Sequence, residues 1–184
     1  MDKNQPLPAP LWIFGYGSLI WHPGFTPARQ ELAVLQGWHR SFCMRSIHHR
    51  GTEAAPGLVL ALDAQAGARC AGVAFRVAPG EEPAVMAELR ARELVSSAYL
   101  EVVLPVTLAS GAVVEAVTYV IDPQHVQYCG GLPLDEQARI IAAAVGGRGP
   151  NAEYLFNTAQ YLAELGLPDA ELAALASQVR ALIS

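Results

Sequence analysis

The sequence predicts an α+β fold in which a small, mostly antiparallel β-barrel precedes a set of helices. From Leu11 to about Asp122, apolar residues alternate with other residues at a period of two, which is typical of strands. After Asp122 the apolar spacing changes to the 3.6-residue period of helices. The 184 residues contain no internal linker. We therefore expect a loose N-terminal tail over residues 1–10 and a single domain over residues 11–184.

Four segments of the first half carry the strand pattern, and turn-forming residues separate them. The alternating residues are Leu58, Leu60 and Leu62, then Val73, Phe75 and Val77, then Val102, Leu104 and Val106, then Val117 and Tyr119. The predicted turns are Pro56-Gly57, Gln65-Ala66-Gly67, Ser110-Gly111 and Asp122-Pro123. Such short strands at regular spacing suit a small barrel.

Helices are predicted in four places. One lies within the strand-rich half, between Pro79 and Val95, with a proline and acids in its first turn. Three follow: Asp135 to Val145, Asn151 to Leu165, and Asp169 to Ile183, with Asp or Asn as N-caps and glycines as stops. In the last helix an apolar stripe is predicted to pack in the core, formed by Leu172, Leu175, Val179 and Leu182.

Composition excludes several classes of protein. The net charge is −5, and the 12 Lys and Arg residues form no basic run, so we expect no nucleic-acid partner. We expect no membrane span, because no uncharged apolar stretch reaches about 18 residues. The three cysteines lack CxxC spacing, which indicates a reducing cytoplasm and argues against disulfides and structural zinc. We expect neither a metal nor a cofactor.

The segment from Ile13 to Leu19, Ile-Phe-Gly-Tyr-Gly-Ser-Leu, breaks a strand-like run with a glycine-flanked tyrosine and a serine. It lacks the third glycine of a dinucleotide fingerprint, the Gly-Lys-Ser/Thr of a phosphate loop, and the second glycine of a serine-hydrolase elbow. Glycines permit unusual backbone angles, so N–H groups here are able to approach a bound oxygen. The segment is predicted to be a ligand-binding turn, and the alternative is an ordinary glycine turn without a ligand.

Glu93 is the second chemical signal. In the helix after Pro79, Val85, Leu89 and Glu93 recur every four residues, so Glu93 extends an apolar stripe. An unpaired carboxylate there is costly, so it must be paired, protonated or open to a cleft. Desolvation raises the pKa of such a carboxyl, which then suits an acid/base role. The alternative is a salt bridge to Arg90 or Arg92, while Glu88 and Arg92 are predicted to pair in solvent.

Together these residues resemble the glutathione-specific γ-glutamylcyclotransferases, the ChaC-like family. The Phe-Gly-Tyr-Gly-Ser-Leu-Ile-Trp segment of that family matches residues 14–21. The likeness continues through five further motifs: His49-Arg50-Gly51, Arg92-Glu93, Tyr128-Cys129-Gly130, Pro133-Leu134 and residues 151–156. It therefore covers nearly the whole chain after the N-terminal tail.

The resemblance implies a γ-glutamylcyclotransferase-like fold, a small mixed β-barrel with surrounding helices. It implies Glu93 as the catalytic residue, and as substrate-binding residues Ile13, Phe14, Gly15, Tyr16, Gly17, Ser18 and Tyr128. Arg50 is a further candidate, for the glycine carboxylate of glutathione, with a structural salt bridge as its alternative. Short family members have Glu-Lys-Gly-Gly-Tyr where this chain has a segment two residues longer from Glu93 to Tyr99, so Tyr99 receives no role.

The reaction implied is an intramolecular attack of the γ-glutamyl α-amine on its own γ-carbonyl, giving 5-oxoproline and Cys-Gly. No external nucleophile is needed, so Glu93 is expected to move the proton and Ser18 to bind. Two alternatives stay open: a γ-glutamyl binder without activity, or a cyclotransferase for other γ-glutamyl amines or dipeptides. A weaker one is a hydrolase with Ser18 or Cys43 as nucleophile and, as base, His22, His39, His48, His49 or His125.

Overall fold

The computed structural model describes residues 7–184, so the first six residues of the predicted tail lie outside it. The strands are β1 (Trp12–Gly15), β2 (Arg29–Ser46), β3 (Gly57–Arg76), β4 (Tyr99–Leu108), β5 (Val113–Ile121), β6 (Val145–Gly146) and β7 (Gly149–Pro150). The helices are α1 (Glu82–Glu93), α2 (Leu134–Ala143), α3 (Asn151–Glu164) and α4 (Ala170–Ile183), with a 3₁₀-helix at Ser18–Ile20. None of the helices within residues 7–184 has the length and apolar character to cross a membrane.

The described chain divides into two compact units. The first unit contains residues 7–40 and 62–125, and the second contains residues 41–61 and 126–184. Strands β2 and β3 therefore contribute residues to both units. A single domain over residues 11–184 stays a prediction.

The sheet of the first unit is a closed barrel with the strand order β1-β3-β2-β4-β5 and an additional pairing of β3 with β5. The β1–β3, β2–β4 and β4–β5 pairs are antiparallel, whereas β1 and β3 each run parallel to β5. This mixed, mostly antiparallel barrel with helices confirms the predicted α+β fold class.

Two of the predicted turns have different outcomes. Gly111 has a φ of 87° and closes the hairpin between β4 and β5, as predicted. The turn predicted at Gln65-Ala66-Gly67 is wrong, because β3 continues unbroken through it. Gly67 has a φ of 76°, and a left-handed glycine inside a strand accommodates a bulge or bend without reversing the chain. Strand β2 was not predicted in its own right.

The positions of the four predicted helices are confirmed, but two of the predicted N-caps and one residue of the predicted buried stripe are wrong. The Asp169 side chain caps α4 by accepting from the Leu172 N–H at 3.0 Å, but the predicted Asn cap at 151 is wrong. Asn151 is fully buried, and its amide instead bonds the N–H and the carbonyl of Leu58, both at 2.7 Å. Asp135 also caps nothing, since α2 begins at Leu134 after Pro133. In α4 the stripe is buried except for Leu182, which is 53% exposed near the chain end.

Candidate active site

The glycine-rich turn begins where β1 ends. Strand β1 lies between β3 and β5, which explains why Ile13 and Phe14 are fully buried. These two side chains therefore shape the turn from the core side. Beyond Gly15 the chain forms the 3₁₀-helix Ser18–Ile20, whose first N–H groups have no acceptor within that helix.

The two glycines of the turn differ in role: Gly15 allows close packing, and Gly17 has an unusual backbone conformation. Neither lies in the left-handed region, but Gly17 has φ −132° and ψ −128°, outside the helical and extended regions, in agreement with the prediction of unusual backbone angles. A Cβ on Gly15 would lie 3.1 Å from both the Leu19 Cβ and the Phe75 ring. Gly72 on β3 is needed more strongly, because its Cβ would lie 2.3 Å from the Gly15 carbonyl oxygen. The sequence did not single out Gly72.

Hydrogen bonds from neighbouring strands hold the turn in place. The Tyr16 hydroxyl donates to the Tyr119 carbonyl at 2.8 Å, and the Thr118 hydroxyl donates to the Phe14 carbonyl at 3.0 Å. The buried Arg40 guanidinium donates to the carbonyls of Tyr16 at 3.1 Å and Ala71 at 2.9 Å. Tyr16 is thus a buried anchor rather than an exposed ring. Among residues 13–20, Ser18 is the residue that is partly exposed.

Ser18 is joined to the end of α1 through Arg92. The Arg92 Nη2 donates to Ser18 Oγ at 2.8 Å, and Nη1 donates to the His22 carbonyl at 2.6 Å. The prediction that Arg92 pairs with Glu88 in solvent is wrong: within residues 7–184 its carboxylate partner is Glu93. Sequence patterns cannot reveal the Ser18 contact, because the two residues are 74 positions apart.

Glu93 ends α1 on the side of Val85, Met86 and Leu89, which are buried as predicted. Its side chain is 16% exposed, and its Oε1 lies 3.1 Å from Arg92 Nε. The salt bridge that the sequence offered as an alternative therefore exists. The guanidinium supplies the opposite charge that a mostly buried carboxylate needs. The structure brings Ser18, Arg92 and Glu93 together in the first unit.

A second polar cluster lies behind the turn. The Tyr119 hydroxyl donates to Glu101 Oε2 at 3.2 Å, and Arg90 binds both oxygens of the same carboxylate. Burial raises the pKa of Tyr119 far above its ordinary range, and the carboxylates of Glu101 and Glu93 add to this effect. Tyr119 is therefore a permanent hydrogen-bond donor within the electrostatic reach of Glu93.

A cleft of about 320 Å³ lies along α1 beside Arg92. Its lining residues are His22, Pro23, Gly24, Phe25, Val85, Glu88, Leu89 and Arg92. The loop after the 3₁₀-helix and the helix that carries Glu93 thus form its two walls.

Two predicted binding residues lie in the second unit. Arg50 Nη1 donates to the Pro150 carbonyl at 3.1 Å and lies 3.6 Å from Glu153 Oε2, while the guanidinium covers the Tyr154 ring. This matches the structural alternative for Arg50. Tyr128 pairs with Met44 in an isolated antiparallel bridge. A Cβ at residue 130 would lie 2.1 Å from the Tyr128 hydroxyl, so the ring requires a glycine there.

Neither proposed nucleophile of the hydrolase alternative is arranged for attack on a substrate. The partner of Ser18 Oγ is a guanidinium, which cannot accept a proton from a nucleophile. Cys43 is 2% exposed, too deep for attack on a substrate. Within residues 7–184, no group of three or more His, Cys, Asp or Glu side chains is arranged to hold a metal ion.

Comparisons with known proteins show which family this chain resembles. The family model described as ChaC-like protein matches residues 11–182. A glutathione-specific γ-glutamylcyclotransferase of Escherichia coli K12 is 38% identical over 180 residues, which cover 98% of this chain and 77% of that protein. Glutathione-specific γ-glutamylcyclotransferase 1 of Homo sapiens is 33% identical, with coverage of 96% and 82%.

Solved structures support the same relationship. The crystal structure of a glutathione-specific γ-glutamylcyclotransferase from yeast has a TM-score of 0.85 and 26% identity to this chain, covering 93% of this chain and 96% of that one. Fold, family model and full-length relatives agree, and the chain belongs to the ChaC-like protein family.

Proposed function

We propose that this protein is a glutathione-specific γ-glutamylcyclotransferase that converts glutathione into 5-oxoproline and Cys-Gly. The observation that carries the proposal is the placement of the Glu93 carboxylate and the Ser18 hydroxyl around one guanidinium, at the turn that bears the family motif. The names of the full-length relatives support the choice of glutathione. Small-molecule chemistry of this kind requires neither nucleic acid nor membrane.

The proposed reaction needs a single proton shuttle. Glu93 takes a proton from the α-ammonium, and the freed amine attacks the γ-carbonyl carbon, closing a five-membered lactam. As the bond from that carbon to the cysteinyl nitrogen breaks, Glu93 returns the proton to the leaving nitrogen. The ring nitrogen then loses a second proton, which the released Cys-Gly amine takes up as it becomes an ammonium group. The nucleophile belongs to the substrate, so the protein contributes mainly by folding the glutamyl chain, an effect that supplies several kcal/mol.

The turn is proposed to hold the glutamyl group. A serine hydroxyl has one donor and two acceptor positions, and Arg92 occupies an acceptor position of Ser18. The Ser18 O–H and the first N–H groups of the 3₁₀-helix are therefore donors suited to the α-carboxylate or to the oxyanion formed on the γ-carbonyl.

Arg50 and Tyr128 are proposed as further substrate contacts. The contacts of the Arg50 guanidinium with Pro150 and Glu153 both use Nη1. A guanidinium has five N–H donors, so its other edge is suited to a substrate carboxylate. Within residues 7–184, Cys43, Cys70 and Cys129 form no disulfide, in keeping with a cytoplasmic location.

The function is tested by incubating the purified protein with glutathione and measuring 5-oxoproline and Cys-Gly by mass spectrometry. We expect equimolar formation of both products. γ-Glutamyl-alanine and γ-glutamyl-cysteine are assayed in parallel, and a higher kcat/KM for either would assign the protein to other γ-glutamyl peptides. Saturable glutathione binding without product would make it a binding protein.

A further inference from the structure

Each nitrogen of the Arg92 guanidinium contacts a different group. Nη1 donates to the His22 carbonyl at 2.6 Å, Nη2 donates to Ser18 Oγ at 2.8 Å, and Nε lies 3.1 Å from Glu93 Oε1. A guanidinium is planar, so three contacts around its edge fix both its position and its rotation. Because two of the partners are Ser18 and Glu93, the same plane also fixes those side chains relative to each other.

The pair between Arg92 and Glu93 does not follow from helix geometry. Adjacent residues on a helix do not face each other. The pair lies at the C-terminal end of α1, where the helix ends at Glu93 and Leu94 follows with φ −98° and ψ 20°. Both side chains are mostly buried, 18% exposed for Arg92 and 16% for Glu93, which reduces screening by water.

Arg92 also offsets an unfavourable position of Glu93. The C-terminal end of a helix carries partial negative charge, which disfavours a carboxylate and favours cations. A guanidinium at contact distance counters that effect and keeps the carboxylate charged, as a general base requires.

We propose that Arg92 is a positioning residue that sets the distance between the Ser18 hydroxyl and the Glu93 carboxylate and keeps that carboxylate ionised. The consequence for catalysis rests on the proposed function, whereas the effect on Glu93 itself does not. Arg92 touches no reacting atom in this account; it acts through Ser18 and Glu93.

A second group of titratable side chains lies near Glu93. Tyr119 faces it from β5, and Glu101 on β4 and Arg90 on α1 belong to the cluster around Tyr119. The contacts within that cluster do not involve Arg92. A change at Arg92 therefore removes none of the hydrogen bonds within that cluster.

The test compares the wild type with Arg92→Gln and Arg92→Lys by two measurements. The first is a ¹³C NMR titration of the Glu93 side-chain carboxyl, assigned with Glu93→Gln, which needs no substrate. We expect Arg92→Gln to raise the midpoint of that titration by about one pH unit or more, since an adjacent cation lowers a carboxyl pKa by roughly that much. Arg92→Lys keeps the charge, so its midpoint is expected near the wild-type value.

The second measurement is kcat/KM with glutathione as a function of pH. In Arg92→Gln, the rise of kcat/KM on the acid side of the pH profile is expected to move to higher pH, together with the titration of the Glu93 carboxyl. The maximum value of kcat/KM is expected to fall about 100-fold. The lysine side chain in Arg92→Lys cannot contact all three partners at once. We therefore expect kcat/KM to fall about tenfold, with no shift of the acid side of the pH profile. Arg139→Gln, a change at an exposed arginine on α2, is the matched control and should match the wild type.

An unchanged Glu93 titration in Arg92→Gln would overturn the proposal, even with lower activity, because the loss would then be structural. If Arg92→Gln does not fold, wild-type kcat/KM in Arg92→Lys overturns it instead. A wild-type protein that leaves glutathione intact would contradict the proposed function alone, and the NMR titration would still decide the role of Arg92.

Discussion

At the scale of single residues, the site depends on how hydrogen-bonding capacity is divided between the protein and a ligand. Arg92 uses an acceptor position of Ser18 and leaves its O–H as a donor. Tyr16 has no comparable freedom, because its hydroxyl donates to the Tyr119 carbonyl and its ring is buried. Of the two polar side chains in the turn, Ser18 is therefore the one suited to contact substrate.

Removing the Ser18 hydroxyl should reduce turnover without unfolding the protein. Arg92 keeps its contacts with His22 and Glu93 in Ser18→Ala, so the end of α1 stays in place. We expect kcat/KM for glutathione to fall about 100-fold, the usual effect of losing one donor to developing charge. Steady-state kinetics measure this, with Ser177→Ala on the exposed side of α4 as control. Unchanged kcat/KM in Ser18→Ala would remove Ser18 from the site.

At the scale of secondary-structure elements, glycines allow β1 and β3 to support the turn. Two glycines of β3 illustrate different requirements. Gly72 is needed because the Gly15 carbonyl and the Phe14 ring occupy the space of a Cβ. Gly67 is needed only for its φ of 76°, since nothing lies within 4 Å of its Cβ position.

Alanine at these two positions should separate activity from stability. We expect Gly72→Ala to displace the turn and to lower kcat/KM about 100-fold, because a shift of about 1 Å at a catalytic site has such an effect. Gly67→Ala should lower the free energy of unfolding by about 1 kcal/mol through backbone strain and keep wild-type kcat/KM. Urea unfolding and glutathione turnover measure both. Equal activity in the two variants would contradict this account of the turn.

Within the second unit, Asn151 links the start of α3 to the start of β3. Its amide satisfies the N–H and the carbonyl of Leu58, and the side chain is fully buried. Asn151→Ala leaves both backbone groups without these bonds, so we expect a loss of about 3 kcal/mol in the free energy of unfolding. The control is Asn157→Ala on the same helix, expected to change stability by less than about 0.5 kcal/mol. A similar small loss for Asn151→Ala, measured in urea, would show that water replaces the bonds.

At the scale of the whole molecule, local patterns explain which predictions succeeded. The position of Glu93 beside Val85 and Leu89 follows from helical periodicity, and the hairpin at Gly111 follows from local turn residues. Arg40 and Gly72 were missed because their roles depend on contacts with the turn from other strands. The partners of Arg92 were missed for the same reason: the helix pattern indicated Glu88, four residues away, whereas the barrel brings Ser18 and His22 to it.

The stability of the protein at alkaline pH should depend on Tyr119. Its pKa is raised on folding, so the folded state keeps the phenol proton after the unfolded state has released it near pH 10. The unfolded state then binds fewer protons, and the free energy of unfolding falls as the pH rises above about 10. Below that pH the contribution is constant.

We expect Tyr119→Phe to show a shallower decline in the free energy of unfolding between about pH 9 and 11 than the wild type. Urea unfolding at each pH measures the slope. Tyr161→Phe, at a tyrosine that is 40% exposed, serves as control and should keep the wild-type slope. An identical slope in Tyr119→Phe and the wild type would show that another group controls alkaline unfolding.

The central claim is that the Glu93 carboxylate moves the proton in a lactam-forming reaction of glutathione. The most direct test is the rate of 5-oxoproline formation by Glu93→Gln, which keeps the size of the side chain and removes its basicity. The account predicts at least a ~100-fold lower kcat, since an acid/base residue contributes about 10²–10⁴-fold, with the fold intact by circular dichroism. Formation of 5-oxoproline by Glu93→Gln at close to the wild-type rate would contradict it.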